Sequence, residues 1–304
     1  MNQNEQPRNI IIILQTGIKG LFRFIKSSPL YILWFIIYYD ISIRILFPFF
    51  RAHSFVISLV FFVVSIAVAL FAGDEIFKLL EGIRPPRTKR EKEYLIPIFE
   101  DVYEGAKEMH PDLPKMQIHI IDDMTVNAFA FGRKTIAVTQ GAIETFTEEE
   151  LKGVIAHEIS HIYHGDTKAQ LINTIGNGAT SVLAFCIKQI IKLLELVARV
   201  AKSTVIEAVF NFIRFIFEMI VYVLLLFGNI LLSVNSRKNE YTADRFACEI
   251  GYGDGLISGL YLLQKMSLGE DKRIISRMQA SHPHIASRIE RLENLEDNTD
   301  MIQP

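Results

Sequence analysis

The sequence has little cysteine and no large excess of charge of either sign. Only two cysteines occur among 304 residues, Cys186 and Cys248, and they fit no paired motif. A disulfide framework is therefore excluded, and a reducing compartment is indicated. The net charge of −2 argues against nucleic acid as a main partner. Apolar residues, by contrast, are abundant and make up half of the chain.

The first apolar region precedes a strongly charged one. Residues 1–28 form a basic amphipathic segment, typical of a helix that lies on a membrane surface. Residues 29–73 predict two transmembrane helices. The first is interrupted by Asp40 and Arg44, which are four residues apart and can pair along one helix face. The second, residues 54–73, carries no charge and is about long enough to span a bilayer.

A second hydrophobic region covers residues 171–236 and contains more charge. Its charged residues are spaced three or four apart, which places them in polar stripes along two helices. We predict a membrane hairpin whose stripes face each other or a water-filled chamber. The alternative is an amphipathic hairpin on the membrane surface. Basic residues cluster after residue 73, so the positive-inside rule places the domain that follows on the cytoplasmic side.

Between these regions, three short stretches alternate apolar and polar residues as half-buried strands do. They cover residues 116–121, 127–131 and 135–139, and they predict a small antiparallel sheet. An exposed edge strand can bind an extended peptide by main-chain pairing. The candidate substrate-binding edge comprises Asn127, Ala128, Phe129 and Ala130.

The stretch His157-Glu158-Ile159-Ser160-His161 is an H-E-x-x-H motif in a helical pattern. Thr147 and Glu150 form a predicted capping box before it, and Gly165 is a stop signal after it. Two histidines four apart share one helix face, so both imidazoles can reach one metal ion, and the glutamate can act as a general base on water. His164 is interpreted as a bystander. The position that would extend the motif with a third histidine holds Gln170.

A third ligand is expected from a helix after the hairpin. Glu240 can ligate zinc, and Asp244, four residues on, can accept a hydrogen bond from a zinc-bound histidine. Glu249 is a weaker candidate ligand. His282 could stabilise the oxyanion of amide hydrolysis, and Arg288 could pair with Glu240 or Asp244.

These residues together resemble the HtpX-like integral membrane zinc metalloproteases, a family shared with the CAAX prenyl protease. The resemblance rests on the H-E-x-x-H motif with Gly165-Asp166, on residues 236–244, and on Ser281-His282-Pro283 with Arg288-Ile289. Residues 127–130 also look like the family's strand beside the active site. The matching motifs run from about residue 127 to residue 289.

The resemblance implies an α+β fold, a mostly helical zincin-like (gluzincin) domain formed by residues 74–170 and 237–304. It implies one Zn²⁺ per chain, held by His157, His161 and Glu240, with Glu158 as base. Partners of these residues would be Asp166, Asp244 and Arg288. The expected protein lies in the inner (plasma) membrane, spans the bilayer several times, and faces the cytoplasm with its active site.

The implied activity is hydrolysis of misfolded or damaged membrane proteins in quality control. Two rivals stay open. One is a protease of the same chemistry that cuts prenylated or otherwise lipidated peptides. The other is a membrane chaperone or adaptor that binds polypeptides without cutting, although an intact Glu158 argues against it because a binding module needs no base.

Overall fold

The computed structural model describes residues 52–267 and 285–300, together with isolated positions between residues 33 and 44. The helices are α1 (Ser54–Phe71), α2 (Gly73–Leu80), α3 (Lys89–Met109), α4 (Gln140–Thr145), α5 (Glu148–His164), α6 (Asp166–Val200), α7 (Thr204–Glu249), α8 (Gly253–Ser267) and α9 (Ile285–Asp300). The strands are β1 (Gln117–Ile121), β2 (Ala128–Phe131) and β3 (Thr135–Thr139). The mostly helical α+β class expected from the sequence is confirmed. The basic segment 1–28 lies outside the described residues.

The three strands form a mixed sheet in the order β1-β3-β2. β3 pairs parallel with β1 and antiparallel with β2. The prediction of an antiparallel sheet is therefore wrong for one of the two pairings. Alternation assigns side chains to faces, but it carries no information on which strands become neighbours. The turn between β2 and β3 reverses the chain, so β3 runs antiparallel to β2. β3 also lies between β2 and β1, and it runs in the same direction as β1.

The motif helix α5 begins and ends where its sequence signals predict. Thr147 and Glu150 form the capping box, and Gly165 ends the helix in the left-handed conformation, with φ of 86°. Leu151, Ile155, Ile159 and Ile162 line its apolar face and are almost completely buried in the main hydrophobic core.

Helix α8 crosses α5 in close contact. A Cβ atom on Gly153 of α5 would overlap the backbone of Leu256, and one on Gly255 would overlap the carbonyl of Glu149. Glycine at both positions therefore lets the two backbones approach closely. This contact brings the apolar side chains of α8 next to the motif.

Contacts divide the chain into two compact units. One contains Leu70–Ala169 with the described part of Ser236–Pro304, and the other contains the described part of Ile25–Ala69 with Gln170–Asn235. The H-E-x-x-H motif, Glu240 and Arg288 all belong to the first unit.

In the second unit, the polar stripes of α6 and α7 face each other, which is one of the two arrangements that the sequence left open. Three ion pairs join them: Lys188–Glu218 at 2.7 Å, Arg214–Glu195 at 2.8 Å and Arg199–Glu207 at 2.8 Å. The two helices also expose large apolar side chains, including Leu193, Val197, Phe212, Phe215 and Tyr222. Six charged side chains are thus paired between the two helices, whereas Lys192 of the same stripe is exposed.

The apolar segment before residue 74 is described only in part. Arg44 donates to the Asp40 carboxylate at 2.6 Å, as their spacing predicts. Among the residues that the structure describes, no single helix is long and apolar enough to cross a membrane. The pair Ser54–Val68 and Gly73–Leu80, bent by 71°, meets the criteria of length and composition only when its two helices are taken together.

Candidate metal centre

The motif helix presents two imidazoles and one carboxylate on its inner face. His157, Glu158 and His161 are 3 %, 2 % and 8 % exposed. The Nε2 atoms of the two histidines lie 3.1 Å apart, because residues at i and i+4 share one face of the helix. Both nitrogens therefore point at one place next to Glu158.

Helix α7 brings a third donor to the same place. Glu240 is buried, with one carboxylate oxygen 3.5 Å from His157 Nε2 and the other 3.6 Å from His161 Nε2. Tetrahedral zinc binds such ligands at about 2.0–2.2 Å, which separates the donor atoms by roughly 3.3–3.5 Å. The observed spacings and the N, N, O donor set fit a divalent metal. Among the described residues, this is the one group of three such side chains that could hold an ion.

Each histidine has a carboxylate at its other ring nitrogen. The Nδ1 of His157 lies 2.9 Å from an oxygen of Asp244, and the Nδ1 of His161 lies 3.0 Å from an oxygen of Asp166. A carboxylate in this place fixes the ring orientation and keeps the proton on Nδ1, so that Nε2 can bind a metal. The structure therefore places Asp244 and Asp166 beside the residues that they were expected to orient.

Arg288 of α9 joins the carboxylates of α7. Its Nε and one terminal nitrogen donate to the two Asp244 oxygens at 2.9 and 2.6 Å, and its other terminal nitrogen lies 3.1 Å from Glu240. The side chain is 3 % exposed. The sequence suggested that Arg288 pairs with Glu240 or Asp244, and in the structure it pairs with both. A buried guanidinium thus offsets much of the negative charge in the site.

The charges in the site change two pKa values strongly. Burial and the nearby Arg288 lower the pKa of His157, but hydrogen bonds to Asp244 and Glu240 outweigh both effects and raise it to about 9. Burial raises the pKa of Asp244, but Arg288 and His157 outweigh burial and lower it to about 2. Asp244 is therefore ionised at neutral pH, the state in which it accepts hydrogen bonds from Arg288 and His157.

Strand β2 holds the motif glutamate from the opposite side. The Ala130 N–H donates to the Glu158 carboxylate at 2.7 Å. The Thr139 N–H of β3 donates to the Asn127 carbonyl, and the Asn127 N–H donates to the Thr139 hydroxyl. The alternation of an antiparallel pair then turns the main-chain groups of Ala128 and Ala130 to the outer edge. The predicted edge strand thus lies directly beside Glu158. The Ala130–Glu158 bond has no signal in the sequence.

A largely apolar pocket lies beside His157 and Glu158. Its apolar walls come from four elements and the loops next to them: Val126, Ala128, Phe146, Val154, Leu256, Leu260, Leu263 and Ile285. Sequence reasoning missed this pocket, since its residues are far apart in the chain and look like ordinary core residues. It can accept an apolar side chain next to the metal centre.

Two further candidate site residues, His282 and Glu249, and the predicted bystander His164 do not join this group in the described structure. His282 lies outside the described residues. His164 contacts Ser160, four residues before it, with its Nδ1 3.0 Å from the Ser160 hydroxyl. Glu249 pairs with Arg245 at 2.8 Å on an exposed face of α7. The structure therefore places Glu240, and not Glu249, beside the two motif histidines.

Comparisons with known proteins agree with this site. A family model described as peptidase family M48 matches residues 89–296. Two similar proteins are both named "Protease HtpX homolog". The one from Dictyoglomus turgidum is 29% identical over 255 residues, covering 76% of this chain and 78% of its own. The one from Dictyoglomus thermophilum is 30% identical over 240 residues, covering 72% and 75%.

Proposed function

This chain belongs to peptidase family M48, and we propose that it is a membrane-bound zinc endopeptidase that hydrolyses misfolded or damaged membrane proteins. Family membership and the resemblance to HtpX proteases make it a metalloprotease. Our proposal adds three points to this family membership: that the metal is zinc, that the protein lies in a bilayer, and that it acts in quality control. The observation that carries the proposal is the meeting of His157, His161 and Glu240 beside the buried Glu158.

The arrangement supports a single-base hydrolysis. A metal held by these three side chains would supply Lewis-acid activation of water and of the scissile carbonyl. Glu158 is placed to take a proton from the attacking water and to deliver it to the leaving amine. The Ala130 N–H holds one oxygen of that carboxylate. His282 remains our proposed donor to the oxyanion.

The substrate strand and the pocket define how a polypeptide would lie. An extended peptide can pair with the outward main-chain groups of β2 other than the Ala130 N–H, which binds Glu158, and this pairing brings one of its bonds beside Glu158. The neighbouring pocket offers apolar walls to one substrate side chain. We therefore expect unfolded segments rich in apolar residues to be cut more readily than polar ones.

The hairpin of α6 and α7 supports contact with lipid. Three ion pairs between described residues join its two helices, and its surface exposes large apolar side chains. Charged groups inside a membrane are placed in this way, because an unpaired charge facing lipid is costly. The basic residues after residue 73 favour a cytoplasmic side for the catalytic unit.

The test uses the full chain purified in detergent with unfolded casein as substrate. We expect cleavage that a chelator stops and that added zinc restores. Mass spectrometry of the products should show an apolar side chain at one fixed position next to the cut bonds. Cleavage that continues unchanged in chelator would contradict a metal-dependent reaction. If only a lipidated peptide is cut, the substrate is of the prenyl-peptide class instead.

A further inference from the structure

The turn between β2 and β3 is held by side chains from two other helices. Its first residue, Gly132, has a φ of 62°, a left-handed conformation that favours glycine. A Cβ atom there would also overlap the carboxylate of Asp74, which comes from the first turn of α2. Asp74 therefore lies directly against the backbone of the turn.

Both polar groups of one peptide unit in this turn are bound. The Thr167 hydroxyl of α6 donates to the Gly132 carbonyl at 2.6 Å. The N–H of the same peptide, on Arg133, donates to the two Asp74 oxygens at 3.2 and 3.4 Å. Asp74 and Thr167 are only 6 % and 2 % exposed. Two buried polar side chains thus fix the Gly132–Arg133 peptide from its two sides.

The position of this peptide bears directly on the metal centre. Ala130, whose N–H binds Glu158, lies two residues before Gly132 on the four-residue strand β2. The ring of Phe77 on α2 contacts that of Phe131 with centroids 4.9 Å apart. Thr167 follows Asp166, which binds His161. A shift of the turn therefore moves the strand that holds the base and receives the substrate.

We infer that Asp74 and Thr167 are positioning residues, which clamp the Gly132–Arg133 peptide and thereby set the place of the substrate-binding edge beside Glu158. This inference rests on the proposed peptidase function. Burying a carboxylate is costly unless its hydrogen bonds are satisfied. The next acid along, Glu75, instead lies on the surface, with its side chain 70 % exposed, and pairs with Lys78. Of these two neighbouring acids, only Asp74 reaches the turn.

The test compares two inhibitors that differ in what they contact. Acetohydroxamic acid can bind the metal alone, whereas a leucine-containing dipeptide hydroxamate also needs the edge of β2. Binding of each to the zinc-loaded full chain in detergent is measured by calorimetry. The variants are Asp74→Ala, Thr167→Val, which keeps the shape without the hydroxyl, and Thr167→Ser, which keeps the hydroxyl. The control is Glu75→Ala.

We expect Asp74→Ala and Thr167→Val to bind the dipeptide hydroxamate about tenfold or more weakly, as the loss of a buried hydrogen bond predicts. Acetohydroxamic acid should bind them as it binds the wild type, and Thr167→Ser and Glu75→Ala should bind both compounds normally. Unchanged dipeptide binding in both variants, or an equal loss for both compounds, overturns the positioning role. If the wild type binds neither compound, the metal site itself is wrong, and the positioning role falls with it.

Discussion

Replacing Glu158 with glutamine is expected to lower kcat for casein cleavage by about 10³-fold, while the chain keeps its metal. General acid–base catalysis by a positioned carboxylate contributes roughly 10²–10⁴-fold to such reactions. Glutamine has nearly the same shape, and its carbonyl oxygen can still accept the Ala130 N–H that now binds the carboxylate. The variant therefore removes the base without disturbing the strand.

Steady-state kinetics and metal analysis of the same preparations check this expectation. Glu149→Gln is the matched control, since Glu149 lies on the same helix with its side chain 74 % exposed and pairs with Lys152. It should cleave at the wild-type rate. A Glu158→Gln variant that retains most of its activity would show that another group acts as base.

Replacing Arg288 with methionine is expected to destabilise the catalytic unit by about 3–5 kcal/mol, because it removes one partner of a buried ion pair. Asp244 and Glu240 would keep their burial and lose the guanidinium that now binds both. Added zinc should recover part of the loss, since the ion neutralises Glu240 charge in the folded state. The stability of Arg288→Lys should lie between those of the wild type and Arg288→Met, because a lysine keeps the charge but cannot bind Asp244 through two parallel hydrogen bonds.

Thermal melting in detergent measures the effect, which should be a shift of roughly 10 °C for a unit of this size. Arg245→Met is the control on the surface of α7, where Arg245 pairs with Glu249 and has its side chain 69 % exposed. Exposed pairs of this kind contribute about 0–1 kcal/mol. Equal melting of the Arg288→Met variant and the wild type would contradict a buried ion pair of Arg288 with charged Asp244 and Glu240.

Local signals in the sequence predict the motif helix well. Its capping box, apolar face and glycine stop are all set by residues within a few positions of one another. The fourfold spacing of His157 and His161 likewise fixes their common direction on any helix. Spacings of three and four likewise identify which faces of α6 and α7 carry charge, although they do not determine that the two faces pair with each other.

Features that depend on long-range packing are less predictable. The order β1-β3-β2 depends on how the hairpin docks, and alternation alone does not determine it. Glu240 and Glu249 both lie in the C-terminal part of α7, and only the fold turns Glu240 towards the histidines. The Ala130–Glu158 bond and the clamp on the Gly132 turn join distant segments through single backbone groups, which no residue pattern reveals.

The most direct test of the site is the zinc content of the purified full chain after removal of metal and reloading. Wild type, Glu240→Ala and Glu249→Ala are compared by elemental analysis. The geometry predicts one zinc per chain for the wild type and for Glu249→Ala, and almost none for Glu240→Ala. Full zinc in Glu240→Ala, or none in the wild type, would contradict a metal held by His157, His161 and Glu240.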